Sequence, residues 1–383
     1  MKYKTIALFS WIAMFVGIVS GCSSTTAMPE YHPYVKSPDI TIKEVCDEIL
    51  NTPEEKIDIG KYALLLTKTV SPDLDVDYEL KQLDDMANTV RPRLKGVTDP
   101  QKIVDILNNY FFKEMGFKSA KKEDPQTFGL IHYGRIRRSA HCATIGVLYL
   151  CLTGRLNLPV YGVGIPDHFF VRYDDGKARI NIDTTYDSGK NISDEEYLKK
   201  FAPLLKDTNT AIKERMLKNL SRKEILGGYL LSGIVQEFTL GLNAKKDQKS
   251  YIRALEYTDY VIKLFPDWFN GYTYKGLYTT LKELDSVENA KEAIKQLRLA
   301  CQLYPYDART DILLASAYDS AKEYQECLKL IENVYQKYSI DTIKDVDKDT
   351  LLLTTLKEEC LRHLQEDNKG SNNPSSAQPS DKK

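Results

Sequence analysis

The sequence predicts an α+β domain followed by an all-α repeat domain, and three observations predict it. A helical first part gives way, between residues 140 and 184, to one helix and three extended runs. From about Arg222 to Glu366, apolar residues recur at three- and four-residue spacing, and that pattern itself repeats. At 383 residues the chain is long enough for more than one core. Lys plus Arg number 53 against 54 acidic residues, so bulk charge points to no nucleic-acid partner. A hydrophobic fraction of 42% excludes a multi-span membrane domain.

Residues 1–22 read as a lipoprotein signal peptide. Lys2 and Lys4 form a basic start, and the apolar stretch from Ile6 to Val19 is short for a membrane span. Val19-Ser20-Gly21-Cys22 resembles the bacterial lipobox, in which small residues admit the signal peptidase and the Cys thiol takes diacylglycerol. Cys22 is the expected lipidation site, and the expected localisation is the cell envelope, tethered to a membrane by that lipid. That means the periplasmic face of the outer membrane in a two-membrane bacterium, and the outer leaflet of the plasma membrane otherwise. Residues 23–40 are polar and Pro-containing, and read as a tether.

Residues 41–205 are expected to form the α+β domain. Helical patterns run over Ile42–Leu50, Ile57–Val70, Tyr78–Leu94 and Pro100–Met115. Residues 118–139 are basic and loop-like. Ala140–Leu156 reads as a helix with Ile145, Leu148, Leu152 and Leu156 on one stripe, closed by Gly154 and Pro159. Extended runs follow at Val160–Val163, Phe169–Tyr173 and Ala178–Thr184, a small antiparallel sheet. Residues 206–366 carry the repeats. Ala293, Ile294, Leu297 and Ala300 overlie Cys327, Leu328, Ile331 and Val334 at a shift of 34 residues, and Ala254–Pro266 lies 39 residues before Ala293–Pro305. A 34-residue helix-turn-helix period is that of the tetratricopeptide repeat. About three repeats and a capping helix over Lys348–Leu364 are expected, then a disordered tail at 367–383.

Cysteine usage narrows the chemistry. No CxxC or CxxC…HxxH spacing occurs, so neither a metal nor a cofactor is expected. Cys46, Cys301, Cys327 and Cys360 fall in amphipathic patterns and read as small buried hydrophobes. Cys142 and Cys151 share one helix, and Cys151 reads as core. Cys142 is different, because Ser139-Ala140-His141-Cys142 opens the helix. A thiol there faces unpaired backbone N–H groups and the positive end of the helix dipole, which favour the nucleophilic thiolate. His168 starts the second extended run and Asp183 lies near the end of the third. With Asp175-Gly176 as a two-residue hairpin turn, His168 faces Asp183 directly, Cα atoms about 4.5–5.5 Å apart. A carboxylate so placed orients an imidazole, the arrangement of a Cys-His-Asp triad. His132, Arg135, Arg137 and Arg138 read as a solvated basic loop that could meet an anionic group.

These residues also carry a resemblance. Leu156-Asn157-Leu158-Pro159-Val160-Tyr161-Gly162-Val163, then Pro166-Asp167-His168-Phe169-Phe170-Val171-Arg172, resemble the bacterial transglutaminase-like proteins of the SirB-one type. Phe112-Lys113-Glu114-Met115-Gly116-Phe117 fits the same family, and the resemblance spans roughly residues 55–190. It implies a papain/transglutaminase-like cysteine fold with Cys142, His168 and Asp183 as the catalytic residues, and a tetratricopeptide tail. The expected function is an envelope-anchored cysteine hydrolase (protease or amidase) or acyltransferase acting on a protein or peptide substrate. The alternative is an inactive scaffold that binds a protein partner through its repeats, since similar members often lack the Cys.

Overall fold

In the computed structural model the described residues are 40–120, 130–185, 188–202, 210–235, 248–283, 286–338 and 346–371. The expected signal peptide, Cys22 and tether lie outside them. The chain divides into two compact units, the first ending at Tyr272 and the second beginning at Thr273.

The first unit opens with four capped helices. In α1 (Ile42–Asn51), Thr41 and Glu44 form a reciprocal capping box. Asp58, Asp75 and Asp99 cap α2 (Ile59–Lys68), α3 (Val76–Val90) and α4 (Pro100–Asn108) by accepting backbone N–H groups of the first turn. α4 does not run straight to Met115. A wider turn over Asn109–Glu114 follows, in which the Met115 N–H reaches back to the Tyr110 carbonyl. This turn buries Phe111, whose ring stacks on Phe117 at 4.2 Å.

The basic segment holds more structure than its composition suggested. β1 (Lys118–Ser119) pairs in parallel with β2 (Ser139–Ala140), and α5 (Ile131–Arg137) lies between them in sequence. Arg135 is no solvated cation: its Nε and Nη2 donate to Glu79 at 2.6 and 2.7 Å, and both side chains are largely buried. α6 (Cys142–Arg155) starts two residues later than the apolar pattern indicated, because Ser139 and Ala140 belong to the strand.

The antiparallel sheet has the order β3 (Val160–Ile165), β4 (His168–Asp174), β5 (Arg179–Ile182). Its β4–β5 register departs from the two-residue turn expected at Asp175-Gly176. Observed pairs are Asp174 with Arg179, Arg172 with Asn181 and Val171 with Ile182, leaving a four-residue loop over Asp175–Ala178. The cause is local. Asp175 Oδ1 accepts the N–H groups of both Lys177 and Ala178, which stabilises a wider turn. The register moves by two residues, so each side chain keeps its face of the sheet.

That parity gives the sheet two unlike faces. On one lie Phe169, Val171, Tyr173, Ile180 and Ile182, against α6. On the other lie Val163, Ile165, His168, Phe170, Arg172, Asn181 and Asp183, under α7 (Asp194–Phe201). After α8 (Thr210–Met216) and α9 (Arg222–Tyr229), the chain enters α10 (Gln248–Leu264). The first unit therefore runs past the boundary expected at 205. α9 and α10 pack on each other and on the first helices, and the Tyr229 hydroxyl bonds Thr67 at 2.6 Å.

The helices expected from the repeat pattern follow in order as α11 (Phe269–Lys282), α12 (Val287–Leu303), α13 (Ala308–Ser320), α14 (Tyr324–Lys337) and α15 (Val346–Ser371), and within the second unit α12 packs on α13 and α14 on α15. The repeat-bearing positions Ala254, Ala293 and Cys327 are each 0% exposed. In the second unit a Cβ on Gly276 would lie 2.5 Å from Leu297 Cγ, so a side chain there would force the helices apart. α15 continues to Ser371, past the expected end of the repeats at 366. Among the described residues no helix is long and apolar enough to cross a membrane.

Candidate active site

Cys142 is the first residue of α6, and His141 caps the helix without a side-chain hydrogen bond. The first-turn N–H groups are left without intrahelical partners, so they point at the space in front of the thiol. Arg138, at φ 54°, turns the chain from α5 into β2, whose pairing with β1 fixes the approach to Cys142. The helix lies close against the sheet because Gly146 has no side chain. A Cβ there would sit 2.5 Å from the Phe169 ring, and one on Gly162 would sit 2.6 Å from its other end. Phe169 is thus clamped between α6 and β3, and this close approach brings the start of α6 to the start of β4.

His168 is the first residue of β4 and is nearly buried. Its Nε2 lies 2.9 Å from Asp183 Oδ2, and the Cys142 thiol is near enough to act on the same ring. Asp183 is fully buried, one step beyond the last β5 pair and diagonal to His168 rather than opposite it. Diagonal neighbours on one face remain within reach of long side chains. Burial works against charge on His168. The hydrogen bond to Asp183 and the interactions with Cys142 outweigh it and push the imidazole up to about 9. Both terms favour a proton on the ring, the state that pairs with a thiolate.

The carboxylate is held from several sides. Asp183 Oδ1 accepts the Thr185 N–H at 2.9 Å, and Oδ2 also accepts the Tyr197 hydroxyl at 3.0 Å. Its backbone N–H donates to the Lys190 carbonyl at 3.1 Å, and its carbonyl accepts from Gly189. The Gly189 carbonyl in turn accepts from Asn108 Nδ2, and Asn108 Oδ1 accepts the Tyr149 hydroxyl. The loop carrying Asp183 is therefore tied to α4 and α6.

Sequence reading missed α7. Ser193 and Glu196 cap it reciprocally, and Tyr197 and Phe201 share one face at i and i+4. Tyr197 stacks on Phe170 at 4.0 Å, and Phe201 stacks on the His168 ring at 4.5 Å and 6°. At the start of the helix, Arg172 is completely buried. It donates to Asn181 Oδ1 at 2.7 Å, the Leu217 carbonyl at 2.6 Å and Asp194 Oδ1 at 2.5 Å. The available signal was the Tyr197/Phe201 pair one turn apart behind a capping box. Nothing local to that stretch says which histidine it covers.

Cys151, the other thiol on α6, is buried, and burial pushes it up to about 12. It borders a cavity of about 220 Å³ with Asp58, Gly154, Arg155 and Arg222. That cavity lies towards the far end of α6 from Cys142, and its arginines already donate to Asp58, Asp84 and backbone carbonyls. Cys46 is likewise buried and pushed up to about 12, and Cys327 and Cys360 are buried. Cys301 is half-buried, and burial raises it too. Cys142 is the half-buried thiol set beside an imidazole. Among the described residues no group of acidic, Cys or His side chains could hold a metal ion.

Comparison with known proteins agrees with this architecture. The chain is 22% identical over 282 residues to a "UPF0162 protein" of Xylella fastidiosa strain Temecula1, covering 72% of this chain and 95% of that one. A "UPF0162 protein" of Xylella fastidiosa strain 9a5c is 24% identical over 163 residues, covering 42% of this chain and 57% of that one. Among solved structures, the "TPR2AB-domain:pHSP90-complex of yeast Sti1" overlaps 83% of this chain and 99% of its own. The identity is 13% and the TM-score 0.28, too low for an argument from overall shape. The sequence pattern described as the transglutaminase-like superfamily matches residues 78–230, a span that contains Cys142, His168, Asp183 and Tyr197. Residues 78–230 form a transglutaminase-like domain.

Proposed function

We propose that this protein is a cysteine hydrolase or acyltransferase acting on amide bonds of a peptide or protein, with Cys142 as nucleophile, His168 as acid and base, and Asp183 as the group that orients His168. One observation carries the reading: His168 Nε2 bonds Asp183 at 2.9 Å, and the Cys142 thiol at the start of α6 acts on the same ring, favouring its charged form. In the first step the Cys142 sulfur, giving its proton to His168, attacks the amide carbonyl carbon and forms the C–S bond. The backbone N–H of Cys142 faces the developing oxyanion. As the C–N bond breaks, His168 gives its proton to the leaving amine. The resulting thioester is attacked by water or by a second amine, His168 accepting the proton of the incoming group. Water gives hydrolysis and an amine gives acyl transfer.

Cys22, as a lipidated residue, would hold the enzyme at an envelope membrane, and the helix pairs after Thr273 would recruit a protein partner or the substrate itself. The test is limiting iodoacetamide on the soluble chain from Thr25 onward, with the label located by peptide mass. The expected result is rapid labelling of Cys142 at neutral pH while Cys46, Cys151, Cys301, Cys327 and Cys360 stay unmodified. Slow labelling of Cys142, indistinguishable from the buried thiols, overturns the enzyme reading. It would leave the repeats as the functional part, a scaffold to be tested by pull-down.

A further inference from the structure

Two donors converge on one oxygen in this site. Asp183 Oδ2 receives His168 Nε2 at 2.9 Å and the Tyr197 hydroxyl at 3.0 Å, while Oδ1 is taken by the Thr185 N–H. A buried carboxylate cannot borrow water for a missing partner. Both oxygens are thereby directed by the protein, and Oδ2 divides its accepting capacity between phenol and imidazole. The phenol arrives on a rigid support: α7 is capped at Ser193, held at its first residue by Arg172, and stacked through Tyr197 on Phe170. We propose that Tyr197 is a positioning residue of the site, fixing the direction of the Asp183 carboxylate and limiting the charge it presents to His168. This rests on the reading of His168 and Asp183 as a working pair.

The groups acting on His168 can be named from each element around it. Cys142 comes from α6 and Asp183 from the end of β5. From α7, Tyr197 acts through Asp183, and the Lys200 ammonium lies 5.5 Å from the centre of the Phe201 ring that stacks on His168. Tyr197→Phe removes only the hydroxyl and keeps the ring on Phe170. Asp183 Oδ2 then loses the phenol's donation, and the imidazolium is stabilised further.

The experiment is ¹⁵N-histidine NMR titration of the full chain, with the His168 signals assigned by loss in His168→Gln. In Tyr197→Phe the His168 midpoint is expected to rise by about half a pH unit or more above wild type. If α7 only packs, Phe preserves everything that matters, and an unmoved midpoint in the folded variant overturns the proposal. Should Tyr197→Phe fail to fold, 4-aminophenylalanine at position 197 keeps the shape and supplies a weaker N–H donor. A smaller rise in the same direction is then expected, and no rise overturns the proposal. The titration does not depend on turnover. If Cys142 is unreactive and the midpoint still rises, the enzyme reading fails while the positioning role stands.

Discussion

The two faces of the three-stranded sheet are built on opposite principles. The face under α6 is apolar: Phe169, Val171, Tyr173, Ile180 and Ile182, with Gly146 and Gly162 hollowed out around the Phe169 ring. Its energy is burial and shape, and it sets where Cys142 stands. The face under α7 carries His168, Arg172, Asn181 and Asp183 among Phe170, Val163 and Ile165, and its polar groups are held by directed hydrogen bonds. It sets the orientation and charge of His168. Thiol and imidazole thus come from opposite sides of one sheet and meet at its end. The apolar face can position a helix but cannot tune a charge. The polar face can tune a charge because each of its buried groups has a partner.

The comparison breaks most visibly at the meeting point. His168→Ala removes the polar face's contribution to the thiol and leaves the apolar face intact. Cys142 alkylation at pH 7 should fall by about two orders of magnitude or more, without loss of the folded baseline in circular dichroism. If the rate survives within a few-fold of wild type, the helix start alone activates the thiol and the polar face is irrelevant to it.

Arg172→Met tests the polar face as a structure. The substitution keeps much of the bulk but leaves Asp194, Asn181 and the Leu217 carbonyl short of a donor. Asp194 retains Asn181 Nδ2 and some solvent exposure, which puts the cost at the lower end for a broken buried ion pair, about 3 kcal/mol by urea unfolding. A loss under about 1 kcal/mol would mean that water replaces the guanidinium and that the network is not closed. On the apolar face, Gly146→Ala forces a methyl against Phe169. The expected cost is about 1–3 kcal/mol, with slower labelling of Cys142 as α6 moves off the sheet. Slower labelling with unchanged stability would point to a purely local shift of the helix start.

How much of this was legible in the sequence follows from the same contrast. The apolar face follows from period-2 alternation and the helix from period 3.6, so sheet, helix and order of elements could be read directly. Cys142 stood out because it opens a helix, and His168 and Asp183 because a hairpin puts them on one face. The exact pairing could not be read, since Asp175 widens the turn by taking two N–H groups. It did no harm to the facing argument, because a two-residue slip preserves parity. Tyr197, Phe201 and Arg172 were not legible. Their roles depend on α7 crossing β4, a contact set by tertiary packing that no local period encodes. Arg135 was misread for the same reason: its partner Glu79 is 56 positions away.

A pH series separates the two faces most cleanly. His168 is held up to about 9 in the folded chain, against about 6.5 for a histidine in the unfolded one. A group raised on folding binds its proton more tightly in the native state. Its contribution to stability is therefore full below about pH 6.5, declines as pH rises towards 9, and is absent above. His168→Gln lacks it. The stability gap between wild type and His168→Gln should thus be largest near pH 6 and should narrow steadily to pH 9. Val171→Ala, on the apolar face, removes only buried methyl groups, at a cost of about 2 kcal/mol that has no reason to vary with pH. Urea unfolding of the three proteins at pH 6, 7.5 and 9 reads both. A gap for His168→Gln that stays flat would mean that Asp183 and Cys142 do not favour the charged ring over the unfolded state. The polar face would then be a packing device like its opposite.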